Sequence, residues 1–267
     1  IQCIKKHHIK TVGVTHGNEA IGYFESKGRR EKYIDALRSL DRIISVSNDL
    51  KTKMVDEYAI PDQKIIVVPN GVDLDKFPII EQQQARRDLG LLSERPLGVC
   101  VARLSPEKNL DVLIQAMSKL KNESFNMYII GEGPLRNSLE LLINKLGMNS
   151  RVWLMGAIPH NEIYKWMNAA DFFCLPSQRE GCPVVIHEAL ACGLPVISTT
   201  VGAIPDLIGS TEYGLLCQPS DESALVSLLS KAMSKKWDRK KIALYGRRFT
   251  WDAVARQTFE ALCEVIR

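Results

Sequence analysis

The sequence has no CxxC pair, no GxGxxG turn, no apolar run of transmembrane length and no repeat or low-complexity tract. Its seven cysteines (Cys3, Cys100, Cys174, Cys182, Cys192, Cys217, Cys263) are an odd, dispersed set, which argues against a disulfide framework and for reduced thiols in a cytoplasmic protein. Cys182, His187 and Cys192 match no zinc spacing, so no metal is expected. Without the glycine fingerprint a dinucleotide-dependent dehydrogenase is disfavoured, and without a long apolar run no spanning helix is read. The formal net charge of +4 is too weak to argue for nucleic acid, and no nucleic-acid partner is expected. Two basic clusters do stand out, KGRREK from Lys27 and KAMSKKWDRKK from Lys231. They read as solvated helix faces or, alternatively, as a dock for an anionic membrane surface at the inner face of the cell membrane.

What is present is a rhythm of short β-branched runs, loops and amphipathic helices across 267 residues, 45% of them hydrophobic. The pattern predicts strands at Thr11–Thr15, Arg42–Val46, Lys64–Val68, Leu97–Ala102, Asn126–Ile130, Val152–Met155, Asp171–Leu175 and Pro195–Thr199. It predicts helices at Arg30–Leu40, Leu110–Leu120, Leu135–Leu146, Asn161–Asn168 and Pro183–Ala191, and a nearly all-helical stretch from Ser220 to Arg267. Such alternation implies an α/β fold with parallel sheets covered by helices. The turn-rich segment PNGVDLDKF (Pro69–Phe77) and the polar EQQQARRDLG after it mark a boundary. The expected division is a partial first unit over 1–78, a second unit over 79–250 and a crossover helix over 251–267. The opening, IQCIKKHHIKTVGVTHG, runs at once into strand-like sequence, and an N-terminally incomplete first unit is expected.

The chemistry concentrates at strand ends. In EGCPVVIHEALACGLPVIS, Glu180 and Glu188 stand eight positions apart among small and apolar residues, where an unpaired carboxylate is costly. Glu180 falls in the loop after the strand ending at Leu175, and Glu188 on the helix that Pro183 begins. In open α/β sheets ligands bind at this carboxyl edge, and the free N–H groups of the helix start suit an anion. Hydroxyls flanking a phosphate, as in a nucleotide-sugar, would satisfy all three features; one glutamate capping the helix and one paired with Arg or Lys are the structural alternative. The loop ARLSPEKN places Arg103 and Lys108 at the same edge, suited either to a diphosphate or to salt bridges with Glu107 or Asp111. Asn109 is expected to cap the helix that follows. The turns Gly131-Glu132-Gly133-Pro134 and Met155–Pro159 belong to the same edge. His16, in VTHGNE, ends the first strand of the short unit, whereas His7, His8, His160 and His187 carry little weight.

With these motifs assembled, the chain resembles the retaining glycosyltransferases of family 4, which have the GT-B fold: two Rossmann-like parallel-sheet units, with C-terminal helices crossing back. The glutamate motif E-x7-E is met by Glu180 and Glu188, the basic pair by Arg103 and Lys108, and PNGVDLDKF, GEGP and FTWDAVARQTFEAL are further landmarks. The resemblance covers essentially the whole chain. It implies transfer of a hexosyl or N-acetylhexosaminyl group from a UDP- or GDP-sugar to a glycan or lipid-linked acceptor, with retention, as in polysaccharide and cell-envelope biosynthesis. It further implies no metal and no cofactor besides the donor substrate. By position, Arg103 and Lys108 would bind the diphosphate and stabilise the leaving group, Glu188 would hold ribose hydroxyls and Glu180 hydroxyls of the transferred sugar. The backbone at Gly181, Cys182, Pro183 and Val184 would hold phosphate and sugar oxygens, with Gly131, Gly133 and Ile158 also in the donor site. His16 resembles the first-unit histidine that reaches the donor sugar. In the family the first unit is longer, so transfer is expected of the parent protein. Two alternatives are a GT-B nucleotide-sugar epimerase, which would need no acceptor, and a non-catalytic nucleotide-sugar-binding module, which would bind donor without turnover.

Overall fold

The computed structural model describes residues 9–17, 27–91, 95–120 and 125–266; Cys3, His7 and His8 lie outside them. Two parallel sheets organise the chain. The first is built from β1 (Val12–Thr15), β2 (Arg42–Ser45) and β3 (Ile65–Val67) in the order β1-β2-β3, with Val12 opposite Arg42 and Ile43 opposite Ile65. Helices α1 (Lys27–Ser39) and α2 (Asn48–Asp56) make its crossovers. Ser47 starts α2 by accepting from the Leu50 N–H at 3.1 Å, a cap that outweighs the helix's modest apolar content.

The second sheet contains β4 (Leu97–Val101), β5 (Asn126–Ile130), β6 (Val152–Gly156), β7 (Phe172–Leu175), β8 (Val196–Thr199) and β9 (Gly214–Cys217) in the order β6-β5-β4-β7-β8-β9, all parallel. Its central strands are continuous apolar runs such as FFCL and NMYII, because helices bury them on both faces. One face is covered by α4 (Leu110–Lys119), α5 (Arg136–Lys145) and α9 (Glu222–Ser234). The other takes α6 (Ile163–Ala169), α7 (Val184–Ala191), α8 (Ile204–Ile208) and α10 (Arg239–Gly246). Strand order reverses between β4 and β7: successive strands are laid outward in one direction from β4 and in the other from β7. The helices that follow those two strands lie on opposite faces, so a crevice forms at the strands' carboxyl ends. The two loops meet there, the Gln178 N–H bonding to the Glu107 carbonyl at 2.8 Å.

Between the units, α3 (Gln82–Asp88) forms where only a polar stretch was expected. Glu81 caps it by accepting from Gln83 and Gln84 N–H groups at 3.1 and 3.0 Å. Polar bonds, not an apolar stripe, dock it: Arg86 reaches the Asp171 carboxylate at 2.8 Å and the Ala169 carbonyl at 3.0 Å. The last helix, α11 (Trp251–Ile266), crosses back onto the first sheet. Ala261 and Val254 pack against Ile44, Val68 and Ile66, and Arg42 pairs with Glu264 at 3.1 Å. The outgoing and returning chains run side by side, Val72 N–H bonding to the Phe249 carbonyl at 2.8 Å. Among the described residues no helix is long and apolar enough to cross a membrane.

The eight expected strands are present, with β9 in addition; α2, α3 and α8 are the helices the pattern missed. Two local expectations are corrected. Asn109 does not cap α4 with its side chain; it takes a left-handed conformation (φ 55°), and its Oδ1 accepts from Gln178 at 3.2 Å. Pro183 precedes α7 as its N-cap residue, not as its first helical position.

Candidate active site

The loop after β4, residues 102–109, and the loop after β7, residues 176–183, flank the strand-order reversal. They bring Lys108 and Glu180 together: Nζ lies 2.7 Å from Glu180 Oε1, with the side chains 20% and 8% exposed. Ser177 Oγ donates to the same oxygen at 2.6 Å, and Ser177 is itself held through its carbonyl by Thr199 Oγ1 at 2.6 Å. Lys108 therefore does not bridge Glu107 or Asp111, and Glu180 does not cap α7, which has no side-chain cap. No side chain caps the first N–H groups of α7, which follow directly on the glutamate loop. Arg103 is exposed on the first of these loops.

Glu188 lies one turn into α7, its side chain 6% exposed. Burial pushes its carboxyl above the usual glutamate range, while a hydrogen bond from His160 pulls it back. His160 Nε2 stands 2.8 Å from Glu188 Oε1. The imidazole sits on the turn after β6 and packs edge-on to Phe77 of the linker, with ring centroids 5.3 Å apart. The lysine-paired glutamate of the structural alternative is thus Glu180, and the partner of Glu188 is a histidine. Sequence reasoning passed over His160 as a member of this site; its position after a strand of the same edge was the available signal. Both glutamates share one arrangement. Each is anchored through Oε1, and among the described residues no hydrogen bond engages Oε2 of either. A nearly buried carboxylate with a spare acceptor oxygen at a ligand edge is suited to binding hydroxyls.

The glycines of the edge serve loop-to-loop approach. A Cβ at Gly131 (φ 141°) would lie 1.9 Å from the Ala102 carbonyl, and one at Gly133 2.4 Å from that of Leu104. The GEGP turn therefore presses on the loop carrying Arg103. At Gly181 a Cβ would fall 2.2 Å from the His16 carbonyl oxygen. That contact seats the carboxyl end of β1 against the glutamate loop and brings His16, exposed at its surface, beside Glu180. Ile158 is half-buried in the loop after β6, two residues before His160.

Beneath the loop, Cys182 Sγ and His187 Nε2 are 3.4 Å apart, and Asn70 of the linker donates its backbone N–H to Sγ at 3.3 Å and its side-chain amide to the Cys182 carbonyl at 2.7 Å. Burial lifts the Cys182 thiol to about 11 and holds the His187 imidazole down at about 4, so both are neutral near pH 7. Cys192 stands apart, accepting from Asn168 at 3.6 Å. Among the described residues no group of three or more His, Cys, Asp or Glu is gathered to hold a metal ion.

Residues 81–249 match the family model described as Glycosyl transferases group 1, and residues 1–76 match that described as Glycosyltransferase Family 4. The chain is 30% identical over 246 residues to the amylovoran biosynthesis glycosyltransferase AmsK of Erwinia amylovora, covering 89% of this chain and 58% of that one. It is 32% identical over 207 residues to the putative colanic acid biosynthesis glycosyltransferase WcaL of Escherichia coli K12, covering 74% and 49%. This chain thus spans about half to three-fifths of the length of these relatives. Among solved structures, Anabaena Alr3699/HepE in complex with UDP superposes with a TM-score of 0.86 at 21% identity, over 98% of this chain and 74% of that one. The architecture is GT-B: two Rossmann-like units joined by a returning C-terminal helix.

Proposed function

The chain belongs to the glycosyl transferases group 1, and from that premise we propose that the protein transfers a hexosyl group from a UDP- or GDP-sugar to a glycan or lipid-linked acceptor, with retention of anomeric configuration. The observation that carries the reading is the matched pair of anchored glutamates, each holding Oε1 to a cation or donor and leaving Oε2 to accept a hydroxyl. HepE, with UDP bound, supplies the analogy for the nucleotide. The relatives named for amylovoran and colanic acid biosynthesis supply that for the glycan.

In this reading Glu188 Oε2 takes ribose hydroxyls, and Glu180 Oε2 takes hydroxyls of the sugar to be moved. The diphosphate lies between them, at the uncapped start of α7, where N–H groups and the helix dipole favour negative charge. Lys108 has three N–H donors and spends one on Glu180, which leaves two for phosphate oxygens. Arg103 adds a planar fork from the same loop. As the bond between the sugar's C1 and the terminal phosphate oxygen breaks, the electron pair passes to that oxygen. These cations and amides stabilise the charge as it grows. The acceptor oxygen bonds C1 on the face the phosphate leaves, and its proton is released. His16 and the Gly181 backbone would line that face from the two units. The basic stretch from Lys231 would let the protein lie on an anionic membrane that carries a lipid-linked acceptor.

Calorimetric titration with UDP and with GDP tests the donor site. We expect micromolar binding of one nucleotide, weakened about tenfold or more by Lys108→Ala and by Glu188→Ala. Binding indifferent to both substitutions would refute these assignments. Product analysis by anomeric proton NMR, with and without acceptor, then separates transfer with retention from epimerisation.

A further inference from the structure

We propose that His160 is a positioning residue for the donor, fixing the Glu188 carboxylate in the orientation that reads the nucleotide's ribose. The proposal rests on the donor reading above and adds to it the residue through which that reading works.

Glu188 shares its face of α7 with Val184, Val185, Ala191 and Cys192, apolar neighbours at helical spacing. They offer its carboxylate no oxygen or nitrogen partner. Unrestrained, such a side chain would turn toward the crevice mouth to recover water. His160 Nε2 bonds Oε1 at 2.8 Å and is the one partner that hydrogen bonds or ion pairs give this carboxylate among the described residues. The histidine is positioned in turn. It opens the 3-10 turn His160–Glu162, whose Glu162 N–H bonds back to the Pro159 carbonyl at 2.8 Å. Its ring leans edge-on against Phe77, which is 1% exposed and anchored in the linker. A ring fixed on one side by packing and bonded on the other to a carboxylate removes a rotational freedom that the bound state would otherwise have to remove. The imidazole is 62% exposed while Glu188 is 6% exposed. It therefore stands between solvent and the acid, where it screens Oε1 and leaves Oε2 to the ligand. Because burial pushes the Glu188 carboxyl up and His160 pulls it back, losing the imidazole also weakens the acid's hold on its charge.

The role differs from general support of the fold, because it predicts which part of the ligand is affected. A loss of structure would weaken binding of any nucleotide. A loss of Glu188 orientation weakens the response to ribose hydroxyls and leaves the diphosphate contacts in place.

The experiment titrates the chain calorimetrically with UDP and its 2′-deoxy analogue, and with GDP and its 2′-deoxy analogue. It uses wild type, Glu188→Gln, His160→Leu, which keeps an apolar group near Phe77, and His160→Gln, whose amide returns an N–H donor at the distance of Nε2. For the nucleotide that binds, wild type should prefer the ribose form by about tenfold or more, the effect of losing hydrogen bonds to a charged group. His160→Leu should cut that preference below about threefold with affinity for the deoxy form little changed, and His160→Gln should restore most of it. Wild-type preference persisting in His160→Leu overturns the positioning role. Equal weakening of both nucleotide forms in His160→Leu also overturns it, since that is the mark of a purely structural residue. Wild-type preference persisting in Glu188→Gln, or no preference in the wild type, overturns instead the assignment of ribose to Glu188, on which the role of His160 depends.

Discussion

Replacing Lys108 with methionine exposes the energetics at the centre of the crevice. The ion pair is short, 2.7 Å, and its carboxylate side chain is only 8% exposed. Removing one partner from a fully buried pair costs about 3–5 kcal/mol, because the remaining charge is stranded. Two features reduce that here. The lysine is 20% exposed, so water screens part of the pair, and Ser177 Oγ continues to donate to Glu180 Oε1 at 2.6 Å. A cost of about 2 kcal/mol follows, which for a chain of this size lowers Tm by roughly 4–8 °C. Glu180→Gln is milder, about 1 kcal/mol, since lysine's flexible stem lets the ammonium turn to water. In the double variant no charge is stranded. It should be no less stable than Lys108→Met alone, with a coupling energy of about 1–2 kcal/mol. Urea denaturation of the four proteins measures this directly. Additive single effects, with coupling under about 0.5 kcal/mol, would refute the view that the two side chains stabilise one another.

Other expectations follow from neighbouring contacts. Gly181→Ala sets a Cβ 2.2 Å from the His16 carbonyl, backbone against backbone; it should cost about 1–3 kcal/mol in a thermal melt and weaken nucleotide binding, and an unchanged Tm would mean the contact yields freely. His187 is 0% exposed and held near 4, whereas an unfolded histidine protonates near 6.5. Its depressed pKa contributes stability above 6.5 that is lost as pH falls toward 4; at pH 4.5 wild type should have lost about 2–3 kcal/mol more than His187→Leu, and a difference under about 1 kcal/mol would count against it. Glu188, with its pKa raised by burial, takes up its proton above the ordinary glutamate value of 4.5. Nucleotide affinity should therefore weaken on acidification at a pH above that value, and Glu188→Gln should flatten this part of the profile. Cys100, Cys192 and Cys217 are pushed by burial to about 12, 12 and 11. In the native chain iodoacetamide should leave these three unmodified at pH 7.5 and label half-exposed Cys263, as mass spectrometry of the peptides would report.

The parts of the fold legible in the sequence were those whose signal is local. Buried strands such as FFCL and LGVCV announce themselves as apolar runs, and α4 as an apolar stripe ending in Lys119. Strand β9, GLLC, contains neither a β-branched nor an aromatic residue, so it does not stand out as a strand in the sequence. Helix α3 escaped notice because its docking is polar: Gln82 and Arg86 bond to the chain at Ala169–Asp171, a partner about eighty residues away that no window can contain. The site divides in the same way. The E-x7-E and Arg–Lys spacings were visible and led to the loops that meet at the strand-order reversal. That Lys108 would bond to Glu180, and His160 to Glu188, depends on how segments 72 and 28 residues apart in the chain fold against one another.

The returning helix has a consequence for biogenesis. The apolar face formed by Ile44, Ile66 and Val68 leaves the ribosome well before Val254 and Ala261, which close it. Closing so long a loop costs little more free energy than closing a short one, because the entropy grows only with the logarithm of length. The cost is paid in time. During synthesis the first sheet emerges with a bare apolar surface, and it keeps that surface until the helix from Trp251 has followed. A ribosome stalled before residue 251 would display this patch to chaperones, and its occupancy by a chaperone would report how much of the final helix has arrived.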